Sequence, residues 1–161
     1  FKKNTKKLIN KKKLEIFNCG LSNIEEEKSL SVLNESSSST FNDINENTDY
    51  FRRKMKILNL MNNKSFKKRI NIRVERLSKY IDFYDIKFID ILKIDTEGYE
   101  LKVLKGINSD QFNLIKYIYF EHHYDLMITK NYNFSDINNL LKNHNFQLKF
   151  KVRMPKRKTF E

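Results

Sequence analysis

Glycine, proline and cysteine are scarce in this chain of 161 residues, which contains three Gly, one Pro and one Cys. Gly20, Gly98 and Gly106 lie too far apart to form a G-x-G-x-x-G loop or a P-loop, so the chain as given binds no nucleotide by either route. One cysteine excludes a disulfide framework and a zinc site made of cysteines. The longest apolar runs extend over only a few residues, which is too short for a helix that spans a membrane.

An initiator methionine is also lacking, since the chain begins Phe1-Lys2-Lys3 with no apolar signal-peptide segment. We therefore expect part of a longer, cytoplasmic protein. The length suits one domain or a portion of one. A hydrophobic fraction of 39% and an aromatic fraction of 13% are sufficient for a buried core, which excludes a fully disordered chain.

Positive charge, by contrast, is abundant, and the formal net charge is +12. The basic residues are 25 Lys and only 7 Arg, and they are dispersed along the chain. Proteins that read nucleic acids rely more on Arg, whose planar fork matches base edges and phosphates. The composition therefore favours a solvated basic surface over a nucleic-acid partner. The alternative is attraction to an anionic partner, such as a phosphorylated substrate, a nucleic acid or an acidic lipid.

One segment differs from the rest in composition. Residues 34–47 are rich in Ser, Asn, Asp and Glu and include a Ser-Ser-Ser-Ser-Thr run at residues 36–40. Polar stretches of this kind are typical of surface loops. We interpret residues 34–69 as a flexible loop or insertion within the domain. A mobile lid over a site is the alternative for the serine-rich part.

The first half of the chain predicts short elements on both sides of this segment. Residues 1–13 read as the end of a helix, and residues 14–21 as a strand. Residues 29–33 alternate polar and apolar, which predicts a short strand hairpinned onto the strand at 14–21. Residues 70–77 predict another strand and residues 77–83 a short helix.

The second half alternates strands with helices. The nearly continuous apolar run at residues 88–95 is typical of a strand buried on both faces. A helix follows, with Asp95 or Thr96 as its N-cap and Gly106 as its stop. Residues 114–121 predict a further strand, residues 134–143 a helix that starts at Ser135 or Asp136, and residues 146–152 a last strand. Strand–helix–strand order of this kind predicts an α/β fold with parallel strands.

Polar side chains follow two of these strands. Asp95 and Glu97 come after the first, and Glu121, His122 and His123 after the next. Ligands bind beyond the carboxyl ends of parallel strands, so both groups are expected at one site. A carboxylate there binds a hydroxyl, holds a metal or accepts a proton, whereas N-capping is the purely structural alternative for the first pair.

Three further features bear on that site. Glu121 ends an apolar strand and needs a partner, for which Lys93 and His123 are the candidates. The histidines are candidate bases near neutral pH, candidate metal ligands with Glu121, or ordinary polar residues at a strand end. Gly98 is costly at the start of a helix unless another group approaches the backbone closely, which favours a functional turn.

The central block resembles a known family. Residues 91–106 read Ile-Leu-Lys-Ile-Asp-Thr-Glu-Gly-Tyr-Glu-Leu-Lys-Val-Leu-Lys-Gly, which is similar to the K-I-D-x-E-G-x-E and V-L-x-G signature of FkbM-type methyltransferases. Residues 18–23, the Ser-rich run, residues 74–77 and the strand end at Glu121 resemble further segments of that family in order. The resemblance covers most of residues 14–150. It implies a Rossmann-like class I methyltransferase fold and S-adenosylmethionine as the cofactor.

The resemblance also implies roles for individual residues. Methyl transfer to a hydroxyl of a sugar, glycan or other small metabolite is the expected reaction. Asp95 would bind the acceptor or take its proton, and Glu97 would support the acceptor side or the helix start. Glu121 and His123 would orient the acceptor or act as the base. No residue is assigned to a metal.

The cofactor side is less complete. The family's D-V-G-A-N-x-G turn and its E-P strand end, which holds the ribose, do not occur in the chain. Leu21 and Ser22 remain as residues that approach the adenine, although Gly20 and Asn23 depart from the family's Ala and Asp. We therefore expect residues 1–161 to be a partial domain without its N-terminal βαβ portion. Such a fragment would bind the cofactor poorly and be inactive by itself.

Two other functions remain open on the sequence. One is a non-catalytic Rossmann-like module that binds a glycan or nucleic acid through its basic surface. The other is a different Rossmann-like enzyme, such as a sugar-nucleotide transferase.

Overall fold

A computed structural model describes residues 14–33, 39–49, 51–53, 56, 67–122, 124 and 126–152. The helix predicted over residues 1–13 and the residue His123 lie outside the described residues. So does most of the stretch from 50 to 66, so the insertion predicted over residues 34–69 stays a prediction. The described parts form a mixed α/β structure, as the sequence predicts.

The first sheet has three strands: β1 (Gly20–Leu21), β2 (Glu26–Leu33) and β3 (Lys67–Glu75). Their order is β1-β3-β2, with β3 parallel to β1 and antiparallel to β2. The predicted hairpin of residues 29–33 onto residues 14–21 is wrong. β2 pairs with β3 along its whole length instead, and Leu30 lies opposite Ile70 in this register.

The second sheet consists of two parallel strands, β4 (Ile89–Ile94) and β5 (Ile115–Phe120). Helix α1 (Leu77–Phe83) precedes β4, α2 (Glu100–Leu104) and a 3₁₀ turn (Gln111–Leu114) connect β4 to β5, and α3 (Phe134–Asn143) follows. The predicted parallel pairing is confirmed. Because parallel strands end at the same edge, the residues after β4 and β5 are brought side by side.

The core lies on one face of the β4–β5 sheet, where α2 and α3 pack. Leu104 and Ile137 are completely buried there, and Leu92 and Ile118 of the sheet contact the same cluster. The prediction that the strand at residues 88–95, which is β4, is buried on both faces is wrong. Its other face is open, and Ile91 is 64% exposed, because side chains alternate between the two faces of a strand.

The ends of the chain's last elements differ from the predictions in detail. Helix α3 has the predicted bounds, but its N-cap is Asn133 rather than Ser135 or Asp136. The Asn133 side chain accepts two backbone N–H bonds while the Asp136 carboxylate accepts the N–H of Asn133, which is a capping box. Residues 146–152 form no strand. Phe146 packs against the core, whereas Leu148, Phe150 and Val152 are exposed, and no neighbouring strand pairs with the segment among the described residues.

Candidate active site

The turn between β4 and α2 has an unusual backbone. Glu97 has φ of +49° and Gly98 has φ of +87°, so two consecutive residues adopt left-handed conformations. Helix α2 therefore begins only at Glu100, with Tyr99 as its N-cap residue and no side-chain cap. The predicted capping by Asp95 or Thr96 is wrong, because the left-handed pair intervenes between them and the helix.

Gly98 is required by both conformation and space. A Cβ atom at this position would lie 2.7 Å from Cγ2 of Ile128 and 3.1 Å from Nδ2 of Asn42. The Asn42 amide also donates a hydrogen bond to the Gly98 carbonyl oxygen. The close approach that the sequence predicts at this glycine is thus present, and its source is residues 42 and 128.

The side chain of Glu100 forms hydrogen bonds to the same turn. Its side chain is 0% exposed. Oε1 accepts the backbone N–H of Gly98 at 2.8 Å and the hydroxyl of Thr96 at 3.2 Å. Oε2 accepts the hydroxyl of Tyr132. Burial, followed by this bond to Glu100, raises the pKa of Tyr132, so the tyrosine keeps its proton and acts as the donor at neutral pH.

Asp95 lies at the exposed edge of the sheet. Its Oδ2 forms an ion pair with Nζ of Lys93 at 3.0 Å. The hydrogen bond to Asp95 raises the pKa of Lys93, and the charge of Glu121 adds a smaller contribution in the same direction. Lys93 is therefore the direct partner of Asp95, whereas it acts on Glu121 only through charge.

The two polar groups that follow β4 and β5 do meet. Ile94 lies opposite Phe120 in the register, and the backbone N–H of Glu121 donates to the carbonyl of Ile94 at 3.2 Å. Glu121 is thus adjacent to Asp95 at the carboxyl edge of the sheet. The half-buried ring of His122 lies 4.8 Å from the ring of Tyr124 and 6.0 Å from that of Tyr132, measured between centroids.

A segment that we name the strap, residues 39–45, crosses this edge. The Thr40 side chain, 1% exposed, donates from Oγ1 to the Glu97 carbonyl at 2.8 Å. Beyond Asn42, the strap pairs with residues 127–129 through the bonds Asn45 N–H to Met127 O at 2.7 Å and Thr129 N–H to Asp43 O at 2.9 Å. The strap therefore connects the turn after β4 with the segment after β5.

Leu21 and Ser22, the predicted cofactor residues, lie at the end of β1. Leu21 is half-buried against the core, and Ser22 is 0% exposed. The hydroxyl of Ser22 shares a hydrogen bond of 3.0 Å with that of Tyr99. A Cβ atom on Gly106 would lie 2.2 Å from the Ser22 carbonyl oxygen, so close packing, rather than only a helix stop, requires this glycine.

Comparison with known families identifies the family to which the chain belongs. The sequence model of the family described as the Methyltransferase FkbM domain matches residues 1–148. The chain belongs to the FkbM methyltransferase family. A search of curated proteins found no match, and a search of solved structures found none either.

In this FkbM domain the family's signature block, residues 91–106, contains the turn described above. Its backbone is bonded to the strap and to Glu100, and Tyr99 extends the contacts to the end of β1. The turn thus contacts three other parts of the chain, namely the strap, α2 and the end of β1. Asp95 and Glu121 follow neighbouring strand ends. The catalytic roles of Asp95, Glu97, Glu121 and His123 stay predictions, as do the cofactor-binding roles of Leu21 and Ser22.

Sequence reasoning missed three residues of the FkbM site: Thr40, Asn42 and Tyr132. Thr40 and Asn42 lie in a polar stretch that is typical of loops, and the same residue types also bond backbone groups of a distant turn. Tyr132 carries no motif of its own. The sequence held one indirect signal for these residues: Gly98 is costly at the start of a helix, which predicts a close neighbour there.

The described residues of the FkbM domain contain neither a metal-binding cluster nor a membrane-spanning helix. Among the described residues, no three His, Cys, Asp or Glu side chains come close enough to share a metal ion, and His123 is not one of those residues. In the part of the chain that the structure describes, every helix is too short or too polar to cross a membrane.

Proposed function

We propose that the protein containing this domain methylates a hydroxyl oxygen of a sugar, a glycan or another small metabolite. The methyl donor in the proposal is S-adenosylmethionine. The observation that supports it most is the meeting of Asp95 and Glu121 at the carboxyl edge of β4 and β5, in a chain of a methyltransferase family. Carboxylates in this position suit a neutral, hydroxyl-bearing acceptor, which they bind and deprotonate.

S-adenosylmethionine, when bound, supplies an activated methyl group and a thioether leaving group. The reaction forms an oxygen–carbon bond, breaks the carbon–sulfur bond and releases the hydroxyl proton. The protein's part is to align the acceptor and to accept that proton. No further cofactor or oxidant is needed for this balance.

Asp95 is the residue to which we assign the acceptor hydroxyl. One of its oxygens holds Lys93 at 3.0 Å, which fixes the orientation of the carboxylate. The other oxygen then accepts the hydroxyl hydrogen and takes the proton during transfer. The side chain is 40% exposed, so an acceptor reaches it from solvent.

Glu97, Glu121 and His123 have supporting roles in the proposal. Glu97 lies in the left-handed turn two residues after Asp95, with its backbone carbonyl held by Thr40. Glu121 lies across from Asp95 on the neighbouring strand end. His123 follows two residues later in the sequence and orients the acceptor or serves as an alternative base.

The described residues fit an acceptor site better than a complete cofactor site. The Ser22 hydroxyl is buried and already bonded to Tyr99, so only the region around Leu21 remains for an adenine ring. The chain as given has no glycine-rich turn. We therefore propose that residues 1–161 alone do not bind S-adenosylmethionine measurably, and tight binding in a calorimetric titration would contradict this.

The proposal further places the protein in the cytoplasm. A single cysteine gives no sign of an oxidising compartment, where disulfides are common. Fluorescence microscopy of the tagged full-length protein tests this location.

The function itself is tested with the full-length protein and S-adenosylmethionine that carries a labelled methyl group. A panel of monosaccharides, oligosaccharides and polyols serves as acceptors, and mass spectrometry with NMR locates the label in the product. We expect transfer to an oxygen of at least one sugar-class acceptor. No transfer to any hydroxyl, or transfer to nitrogen or carbon instead, would overturn the proposal. Retention of a glycan without turnover would favour the binding-module alternative.

A further inference from the structure

We propose that Tyr132 is a positioning residue of the acceptor site, which acts through Glu100 on the turn that carries Glu97. The inference rests on the proposed function, since the site it positions is the site of methyl transfer. Tyr132 lies outside the family signature at residues 91–106 and far from it in sequence.

The first step is the bond between the two side chains. The Tyr132 hydroxyl donates to Oε2 of Glu100, and the two residues are 32 positions apart. Glu100 is completely buried, so its orientation depends on the protein groups that it contacts. The tyrosine stays protonated at neutral pH because burial and this bond raise its pKa.

The second step leads from Glu100 to the turn. Its other oxygen accepts the Gly98 N–H at 2.8 Å and the Thr96 hydroxyl at 3.2 Å. A carboxyl group that is held at one oxygen by Tyr132 thus presents the other oxygen to the turn at a fixed angle. Glu97 lies between these two bonded residues, at φ of +49°, a conformation that a non-glycine residue keeps only under restraint.

The third step concerns the position of Tyr132 relative to the other strand end. Its ring lies 6.0 Å from the ring of His122, which directly follows Glu121 in the sequence. The strap binds the same turn through the Glu97 and Gly98 carbonyls. Tyr132 therefore contacts both Glu100, which binds the turn after β4, and the His122 ring after β5. In the proposal, loss of its hydroxyl loosens the turn.

The chain offers a matched control for this claim. Tyr80 also donates its hydroxyl to a largely buried glutamate, Glu75, and burial also raises its pKa. That pair joins β3 to α1 and makes none of the contacts of the turn in the described residues. Substitution of each tyrosine by phenylalanine removes one oxygen atom and keeps the ring.

The experiment compares Tyr132→Phe with Tyr80→Phe in the full-length protein. Steady-state kinetics use the acceptor found in the panel above, together with thermal unfolding and hydrogen exchange of the peptide covering residues 95–101. We expect Tyr132→Phe to lower kcat about 10- to 100-fold, with KM for S-adenosylmethionine within about twofold of wild type. We expect faster exchange in that peptide, and kcat of Tyr80→Phe within about twofold of wild type.

Two results overturn the inference. One is a kcat loss in Tyr132→Phe no greater than in Tyr80→Phe. The other is unchanged exchange of residues 95–101. If the wild-type protein transfers no methyl group, the proposed function fails. The exchange measurement then decides by itself whether the Tyr132 hydroxyl holds the turn, so the two failures are distinguishable.

Discussion

Two tyrosine–glutamate pairs occur among the described residues, and they have different surroundings. In each pair a tyrosine hydroxyl donates to a glutamate that is little exposed: Tyr80 to Glu75 and Tyr132 to Glu100. Glu75 is also paired with Arg73 at 2.7 Å and Lys79 at 3.1 Å. Glu100 has no ion pair among the described residues and instead receives the Gly98 N–H and the Thr96 hydroxyl.

The difference separates local stabilisation from the organisation of a site. Glu75 and Tyr80 are five residues apart, on the end of β3 and the helix that follows, and solvent-exposed cations balance the charge. Glu100 and Tyr132 are 32 residues apart, and their bonds fix a left-handed turn. Hydrogen bonds to the Gly98 N–H and to the Thr96 and Tyr132 hydroxyls restrain the Glu100 carboxyl group in direction, and this restraint holds the turn in one geometry.

Removal of each glutamate side chain gives the largest expected effect. Glu100→Ala leaves the Gly98 N–H and the Thr96 and Tyr132 hydroxyls without their buried acceptor, and we expect a loss of about 3 kcal/mol in the free energy of unfolding. Glu75→Ala should cost less, because Arg73 and Lys79 are already largely exposed and become solvated. Urea denaturation measures both. An equal or larger loss of unfolding free energy in Glu75→Ala would show that the two pairs stabilise the protein in the same way.

Gly98→Ala sharpens the comparison at the turn itself. The new Cβ meets Ile128 at 2.7 Å and the backbone stays at a positive φ. We expect a loss of about 1–3 kcal/mol in the free energy of unfolding and a loss of methyl transfer. Gly20→Ala is the control for backbone conformation, since its Cβ is similarly crowded, by Phe41 at 2.8 Å and Val74 at 3.0 Å, but no positive φ is involved. Equal effects of the two substitutions would contradict a special role for the turn.

A pH dependence of stability is the smallest expected effect, and it concerns the charge-balanced pair. The hydrogen bond from Tyr80, then that from Lys79, lowers the pKa of Glu75 below its ordinary value of 4.5. A lowered pKa in the folded state stabilises the protein above the unfolded pKa, and this contribution disappears as the pH falls through the folded pKa. The difference in unfolding free energy between wild type and Glu75→Gln should therefore shrink between pH 6 and pH 3 (roughly one to two units either side of the ordinary value). A difference that stays constant over this range would contradict the assignment.

The sequence predicts the parts of the site that are local. The apolar runs at β4 and β5 indicate parallel strands, and the acidic residues that follow them meet at one edge, as the register of Ile94 with Phe120 requires. The scarcity of glycine gives Gly98 its meaning, since a glycine at a helix start predicts a close neighbour. These inferences depend on residues within a few positions of one another.

The parts that the sequence did not predict are held by distant residues. Thr40 and Asn42 bond to a turn that is 57 and 56 positions away. β2 pairs with β3, which lies beyond the polar segment in the sequence. The sequence pattern predicted instead that residues 29–33 pair with the nearer residues 14–21. The open face of β4 is a similar case, because an apolar run does not state which of its faces is covered.

The central claim is that the carboxylate of Asp95 accepts the proton of the methyl acceptor. The most direct test is the rate of methyl transfer by the full-length protein that carries Asp95→Asn, with Asp90→Asn, an exposed aspartate on the same strand, as the control. Asparagine keeps the shape of the side chain and removes its basicity. The account predicts a fall in kcat of about 100-fold or more for Asp95→Asn. It predicts unchanged thermal unfolding and wild-type turnover for Asp90→Asn. Wild-type turnover in Asp95→Asn would contradict it.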